Sequence, residues 1–297
     1  MIQVFGSVNL DLIGKVSRIP HPGETVPGSS FATAPGGKGA NQALAAARAG
    51  ARVRMIGAAG RDSMGDEALT LLKAGGVDLG AVRRLETPQG VAMIFVDDSG
   101  ENVIGILPGA NGEVGAADAE RELAAATPND ILVVQQEVPQ AGTLRALELA
   151  RERGMVSIFN TAPFLGDTAE ASRPASIVVA NETEFALLAG VAPSEAAMLR
   201  WAAERGQTIL VTLGAGGALA VGRDGDVIRV AALPITPVDT VGAGDTFVGY
   251  LAAGLDRGMA LEPAMQRAAV AASLACLKPG AQPAIPLAHE VDVAIGV

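Results

Sequence analysis

A single cysteine, Cys276, stands among 297 residues, so no disulfide framework can form within the chain. That fits a reducing compartment, and a cytoplasmic location is the expectation. Cys276 sits in the apolar run 268–277 and reads as a small core residue. A catalytic thiol is disfavoured, because only His21 and His289 are present to activate one. Two histidines without cysteine company make no zinc site either. Aromatics are scarce too, with seven Phe, one Tyr and one Trp. The core must then be built from Ala, Val, Leu and Ile, as in buried parallel sheets and their covering helices. There is no basic block and the net charge is −10, which argues against nucleic acid or anionic membrane as the main partner. The start, Met-Ile-Gln-Val-Phe-Gly, has no basic region ahead of an apolar one and does not read as a signal peptide. The longest uncharged run, 207–222, is interrupted at Gly214–Gly217 and reads as strand, turn, strand instead of a membrane span.

Glycine is abundant, and two glycine stretches stand out. The first is Asp239-Thr240-Val241-Gly242-Ala243-Gly244-Asp245-Thr246-Phe247. A strand-like apolar run, 227–238, leads into it and a helix-like run, 246–255, leads out. Gly242 and Gly244 let the backbone turn tightly and approach a ligand. The free N–H groups of the following helix, with the positive end of its dipole behind them, make an anion site. Asp245 is a poor neighbour for a bound phosphate unless it takes a proton from a hydroxyl that attacks the phosphorus. Taken alone, the stretch reads equally as a glycine turn with Asp245 as a helix cap. The second stretch, Pro35-Gly36-Gly37-Lys38-Gly39-Ala40-Asn41, opens an alanine-rich helix over 40–49. It is neither a Walker A loop nor the Gly-x-Gly-x-x-Gly of a dinucleotide fold.

Elsewhere strands and helices alternate, which predicts a mainly parallel sheet. Strands are predicted at 2–6, 53–58, near Val82, and at 131–135, 156–159, 176–179 and 209–213. Helices are predicted at 64–74, 117–126, 140–153, 183–189, 194–205 and 261–277, and a strand pair at 218–222 and 227–232. A hairpin, 91–97 and 102–107, breaks the alternation and with 10–34 predicts a small sheet standing off as a lid. No linker or repeat divides the chain, so a single domain over 1–297 is expected. Ligands in such sheets sit at the carboxyl ends of the strands. Asn9, Asp11, Glu137, Asn181, Glu184, Thr212 and Gly214 all fall there. Each by itself is also a common turn or cap residue. Together with the anion cradle they describe a sugar-like substrate beside a phosphate donor.

These residues resemble the PfkB-type carbohydrate kinase family, and within it the ribokinase branch, over essentially the whole chain. The two glycine stretches carry the resemblance, with Gly6-Ser7-Val8-Asn9-Leu10-Asp11, Pro22-Gly23-Glu24-Thr25, Gly100-Glu101-Asn102-Val103-Ile104-Gly105-Ile106 and Asn181-Glu182-Thr183-Glu184. The resemblance implies a ribokinase-like three-layer α/β/α sandwich with a β-sheet lid, and ATP-dependent phosphorylation of a sugar. It implies Asp245 as the base and the Gly242, Ala243 and Gly244 N–H groups as the anion hole. Asn9, Asp11, Gly37, Lys38, Asn41 and Glu137 would hold sugar hydroxyls, with Ala92, Ile94 and Ile106 closing over the ring. Asn181 and Glu184 would order Mg2+ and its water shell, with Thr212, Gly214, Gly217 and Gly244 lining the nucleotide site. Asp239, Val241, Ala275 and Gly280 would bind a monovalent cation, K+, and two lids would pair in a homodimer. The chain departs from the branch at Asn160-Thr161-Ala162-Pro163, Lys278 and Ala284. It is also short between Glu184 and Ile209. A kinase for another sugar or a nucleoside, and a non-catalytic sensor on the same fold, remain the alternatives.

Overall fold

The computed structural model describes residues 1–296. Its strands are β1 (Ile2–Phe5), β2 (Asn9–Val16), β3 (Gly28–Gly36), β4 (Val53–Gly60), β5 (Asp78–Leu85), β6 (Val91–Val96) and β7 (Asn102–Leu107). Beyond them come β8 (Ile131–Val134), β9 (Val156–Asn160), β10 (Ile177–Asn181), β11 (Thr208–Thr212), β12 (Ala218–Val221) and β13 (Val227–Val230). The helices are α1 (Lys38–Arg48), α2 (Ser63–Ala68), α3 (Thr70–Ala74), α4 (Ala116–Glu122), α5 (Gln140–Glu152) and α6 (Thr168–Ala171). They continue with α7 (Glu182–Ala189), α8 (Glu195–Arg205), α9 (Ala243–Asp256), α10 (Leu261–Ala275) and α11 (Ala288–Ile295).

Nine strands form one sheet in the order β13-β12-β11-β10-β9-β8-β1-β4-β5, parallel except where β12 meets β11 and β13. Alternation along each strand divides the core in two. Ile2 and Val4 of β1 pack with α1, α9 and α10, while Phe5 packs with α4 and α5. Ile177 and Val179 of β10 divide from Val178 and Ala180 in the same way. Two apolar faces per strand are what a sheet covered on both sides requires. The α/β/α sandwich is thus as expected. The strand order reverses direction beside β1, which has β4 on one side and β8 on the other. Ligands in such sheets bind at the strands' carboxyl ends near this switch point. No helix of the described residues is long and apolar enough to cross a membrane.

The second sheet has four strands in the order β3-β2-β6-β7. Its register puts Ala34, Asp11, Ala92 and Ile106 in one row, and Ala32, Ile13, Ile94 and Ile104 in the next row of the same face. Much of its apolar surface is open, with Phe31 at 70 % and Ile104 at 51 % exposure.

Several boundaries differ from expectation for physical reasons. The run 227–238 is a strand only to Val230, because Pro234 and Pro237 lack the N–H a ladder needs. The single helix expected over 64–74 is two, with a break at Leu69. The segment after Pro286 forms α11.

Candidate active site

Both glycine stretches end as helix N-termini facing the same crevice. Gly37 precedes α1 with φ 89° and Gly242 precedes α9 with φ 74°, conformations that favour glycine. A β-carbon on Gly37 would also stand 2.6 Å from the Asn9 nitrogen. α9 therefore begins at Ala243, earlier than expected, and Asp245 lies inside its first turn instead of capping it. The Ala243 N–H is engaged by the Thr240 carbonyl at 3.3 Å. Gly244 is exposed at the helix end, and no backbone acceptor takes its N–H among the described residues.

Asp245 is buried, at 7 % exposure, and two amides hold it. Asn41 Nδ2 donates to its Oδ2 at 2.9 Å and Gln42 Nε2 to its Oδ1 at 2.8 Å. Asn41 Oδ1 remains buried without a partner, an acceptor for a ligand hydroxyl. Lys38 lies half-buried nearby, and the Asp245 carboxylate holds its ammonium pKa up against the opposing effect of burial. It lines a cavity with Asn160, Asn181, Glu184, Thr212, Gly242, Gly244 and Asp245. That cavity joins the expected phosphate-binding groups to the expected base.

On the lid side, Asn9 is buried and its Oδ1 accepts from Asn111 Nδ2 at 2.7 Å. Glu137 Oε2 accepts from Ser7 Oγ at 2.6 Å and from the Lys38 N–H at 3.0 Å, so it also caps the approach to α1. Asp11 receives no hydrogen bond among the described residues. Burial first, then the Glu137 and Asp245 carboxylates, push its pKa up to about 7, with Lys38 opposing. Ala92, Ile94 and Ile106 share the Asp11 face of the lid.

On the nucleotide side, a cavity of about 300 Å³ is lined by Thr212, Gly214, Gly217, Leu233, Ile235, Phe247 and Cys276, among others. Cys276 is therefore half-buried in a cavity wall and not in the core. Asn181 and Glu184 form a capping box on α7: the Glu184 N–H donates to Asn181 Oδ1 at 2.8 Å and the Asn181 N–H to Glu184 Oε2 at 3.0 Å. Thr161 Oγ1 adds a bond to the same Oε2 at 2.8 Å, and no bond engages Oε1 among the described residues. One free carboxylate oxygen in the cavity shared with Gly242, Gly244 and Asp245 suits Mg2+, which keeps most of its waters and takes few protein ligands.

Asp239 ties two loops together, accepting from the Val241 N–H at 3.0 Å and the Gly280 N–H at 2.8 Å. That brings the backbones of 239–241 and 276–280 side by side, a setting that fits a cation held by carbonyls. Sequence reasoning missed Gln42, Gln135, Asn111 and Asn160, which touch one another or the site residues from beneath. Polar residues within apolar runs, as Gln42 is in α1, were the available signal.

A buried carboxylate at a helix N-terminus, in a polar cavity it shares with Lys38 and the glycine turn, defines a phosphotransferase acting on a small hydroxyl compound. Residues 1–288 match the pfkB family carbohydrate kinase pattern, and the chain belongs to that family. It is 34 % identical to a ribokinase of Schizosaccharomyces pombe, over 98 % of this chain and 96 % of that protein. It is also 34 % identical to a deoxyribokinase of Salmonella typhimurium, over 96 % of this chain and 95 % of that protein. A ribokinase of Arabidopsis thaliana, solved with ribose and ATP, superposes with a TM-score of 0.88 at 28 % identity, over 100 % of this chain and 98 % of that one.

Proposed function

We propose that this chain is an ATP-dependent ribokinase, transferring a phosphoryl group to the 5-hydroxyl of D-ribose to give ribose 5-phosphate and ADP. The observation that carries the reading is the Asp245 carboxylate, buried and doubly hydrogen-bonded where the crevice under the lid meets the nucleotide-side cavity. Asp245 takes the proton of the attacking hydroxyl. The N–H groups of Gly242, Ala243 and Gly244 stabilise the charge that builds on the transferring group, Gly244's foremost because the Ala243 N–H already serves the Thr240 carbonyl, and a free donor of this kind typically contributes about a hundred- to a thousandfold. Asn9, Asp11, Gly37, Lys38, Asn41 and Glu137 bind the sugar hydroxyls, and Ala92, Ile94 and Ile106 cover the ring. Thr212, Gly214, Gly217 and Asn181 line the nucleotide site. Glu184 orients the water shell of Mg2+, which supplies neutralisation of the phosphate charge when bound. Asp239 with the backbone of Val241, Ala275 and Gly280 holds K+. The enzyme works in the cytoplasm as one kinase domain spanning 1–297, and pairs as a homodimer through the lids at about 10–34 and 90–107.

The test is ADP release at saturating ATP and Mg2+ over ribose, 2-deoxyribose, fructose, fructose 6-phosphate and adenosine. Loss of one paired hydroxyl strands a buried carboxylate, so 2-deoxyribose should be about ten- to a hundredfold poorer in kcat/KM. The likeness to deoxyribokinases makes that sugar the rival. If 2-deoxyribose, fructose 6-phosphate or adenosine outran ribose, the assignment within the family would be wrong.

A further inference from the structure

Gln42 has all its hydrogen-bonding groups engaged, and it lines neither cavity. Its side chain is fully buried in the second turn of α1. Nε2 donates to Asp245 Oδ1 at 2.8 Å and to Asn160 Oδ1 at 3.1 Å. Oε1 accepts from Gln135 Nε2 at 2.6 Å. Four elements thus converge on one amide: α1, the end of β8 through Gln135, the end of β9 through Asn160, and α9 through Asp245. The approach of α1 and α9 is made close by Gly249, one turn on from Asp245. A β-carbon there would stand 2.5 Å from Ala45 Cβ and 2.5 Å from the Gln42 carbonyl oxygen.

We infer that Gln42 is a positioning residue for the base: held by Gln135, it locks the Asp245 carboxylate plane so that one oxygen faces the acceptor hydroxyl. The inference rests on the kinase reading above. A short carboxylate has a soft terminal torsion, and two donors on its two oxygens remove that freedom. Asn41, the other donor, keeps a free oxygen for the sugar, whereas Gln42 is out of the ligand's reach. A neutral amide also suits the task. A cation there would pair with the carboxylate and blunt it as a base. The charged groups that face Asp245 are Lys38 on α1 and Asp11 in the lid, with Glu137 after β8 and Glu184 on α7 beyond them.

The experiment uses the full chain with Gln42→Leu and Gln42→Glu, followed by single-turnover phosphoryl transfer to ribose across pH and by ribose binding. In Gln42→Leu the rate should fall about ten- to a hundredfold, as a misaimed group costs. Ribose affinity should stay within about twofold of the parent, since Gln42 touches no substrate. The acid limb of the rate profile should move to higher pH, because the charged carboxylate has lost a donor. Gln42→Glu, the same size, sets a second carboxylate against Asp245 and should move that limb further, by more than about one pH unit. Should the leucine variant not fold, the glutamate variant decides alone. Parental rate and acid limb in the folded variants would overturn the inference, as would ribose affinity falling in step with rate. A parent chain that phosphorylates no sugar would instead overturn the kinase reading itself.

Discussion

Gly36 lies against the Asp11 carboxylate: a β-carbon on Gly36 would stand 2.5 Å from Asp11 Oδ1 and 2.6 Å from its Cγ. The two residues sit on paired strands, β3 and β2, at the foot of the lid. Asp11 can hold its place only because its neighbour has no side chain. Gly36→Ala should therefore push the carboxylate aside and raise KM for ribose by about tenfold or more, the cost of one misplaced charged hydrogen bond. KM for ATP should not change. Steady-state kinetics in both substrates checks this, and equal shifts in the two KM values would point to general damage instead.

The pKa of Asp11 is raised to about 7 by burial and two neighbouring carboxylates, so on its proposed role sugar binding should depend on pH. If the ionised form is the one that accepts ribose hydroxyls, KM for ribose should rise about tenfold between pH 8 and pH 6. The sign for stability is the opposite of a paired carboxylate. The native state holds this proton where the unfolded chain, at about 3.9, has released it. The group's contribution to stability is therefore fully present below about pH 4 and is lost as pH rises toward 7. Asp11→Asn should raise Tm at pH 8 and weaken ribose binding. A lower Tm would show that Asp11 is held by interactions other than those described.

Asp245→Asn should lower kcat by several orders of magnitude while ribose binding changes little. The carboxylate is buried, so the asparagine can take over its shape but not its proton affinity. Retention of more than about a tenth of kcat, a loss under ~1.4 kcal/mol, would remove Asp245 as the base.

Asp239 fastens the loop before α9 to the Gly280 turn. A ring of backbone carbonyls there would suit a large, easily dehydrated cation and would let it stiffen the anion cradle, so K+ should raise the rate over Na+ or Li+. Rates in the three salts at matched ionic strength decide it, and equal rates would leave Asp239 with only its structural role.

The lid carries more open apolar surface than an isolated sheet tolerates in water, including Phe31, Ile104 and Leu107. Light scattering at micromolar protein should give twice the chain mass, and Ile104→Asp should shift it toward the single chain. A parent that is already a single chain would rule out pairing through the lid.

Much of this was legible from local signals. The alternation of Val- and Ile-rich runs with alanine-rich helices is a short-range pattern set by side-chain period, and it predicted the sandwich. The hairpin around Asp97–Gly100 broke that rhythm and marked out the second sheet, and β6 and β7 pair there as read. Ala92 and Ile94 share a face because parity within one strand follows from residue number, whereas the register between strands is what sets Ile106 and Asp11 beside them. Both glycine stretches announced their helix N-termini, since a positive φ at Gly37 and Gly242 is a demand on the residue itself.

What the sequence alone determined, then, is whatever depends on neighbours in the chain: element type, strand face, the turn glycines and the residues available for chemistry. Which partners those residues meet depended on the tertiary structure. Asn41 and Gln42 reach Asp245 across 204 and 203 positions of chain. Asn181 and Glu184 spend bonds on each other as a cap, which local reading had allowed but could not choose. The raised pKa of Asp11 exists only because β2, the end of β8 and α9 converge on one crevice. Such effects fall off within a few ångströms in space and have no signature along the chain, so only the packed fold could decide them.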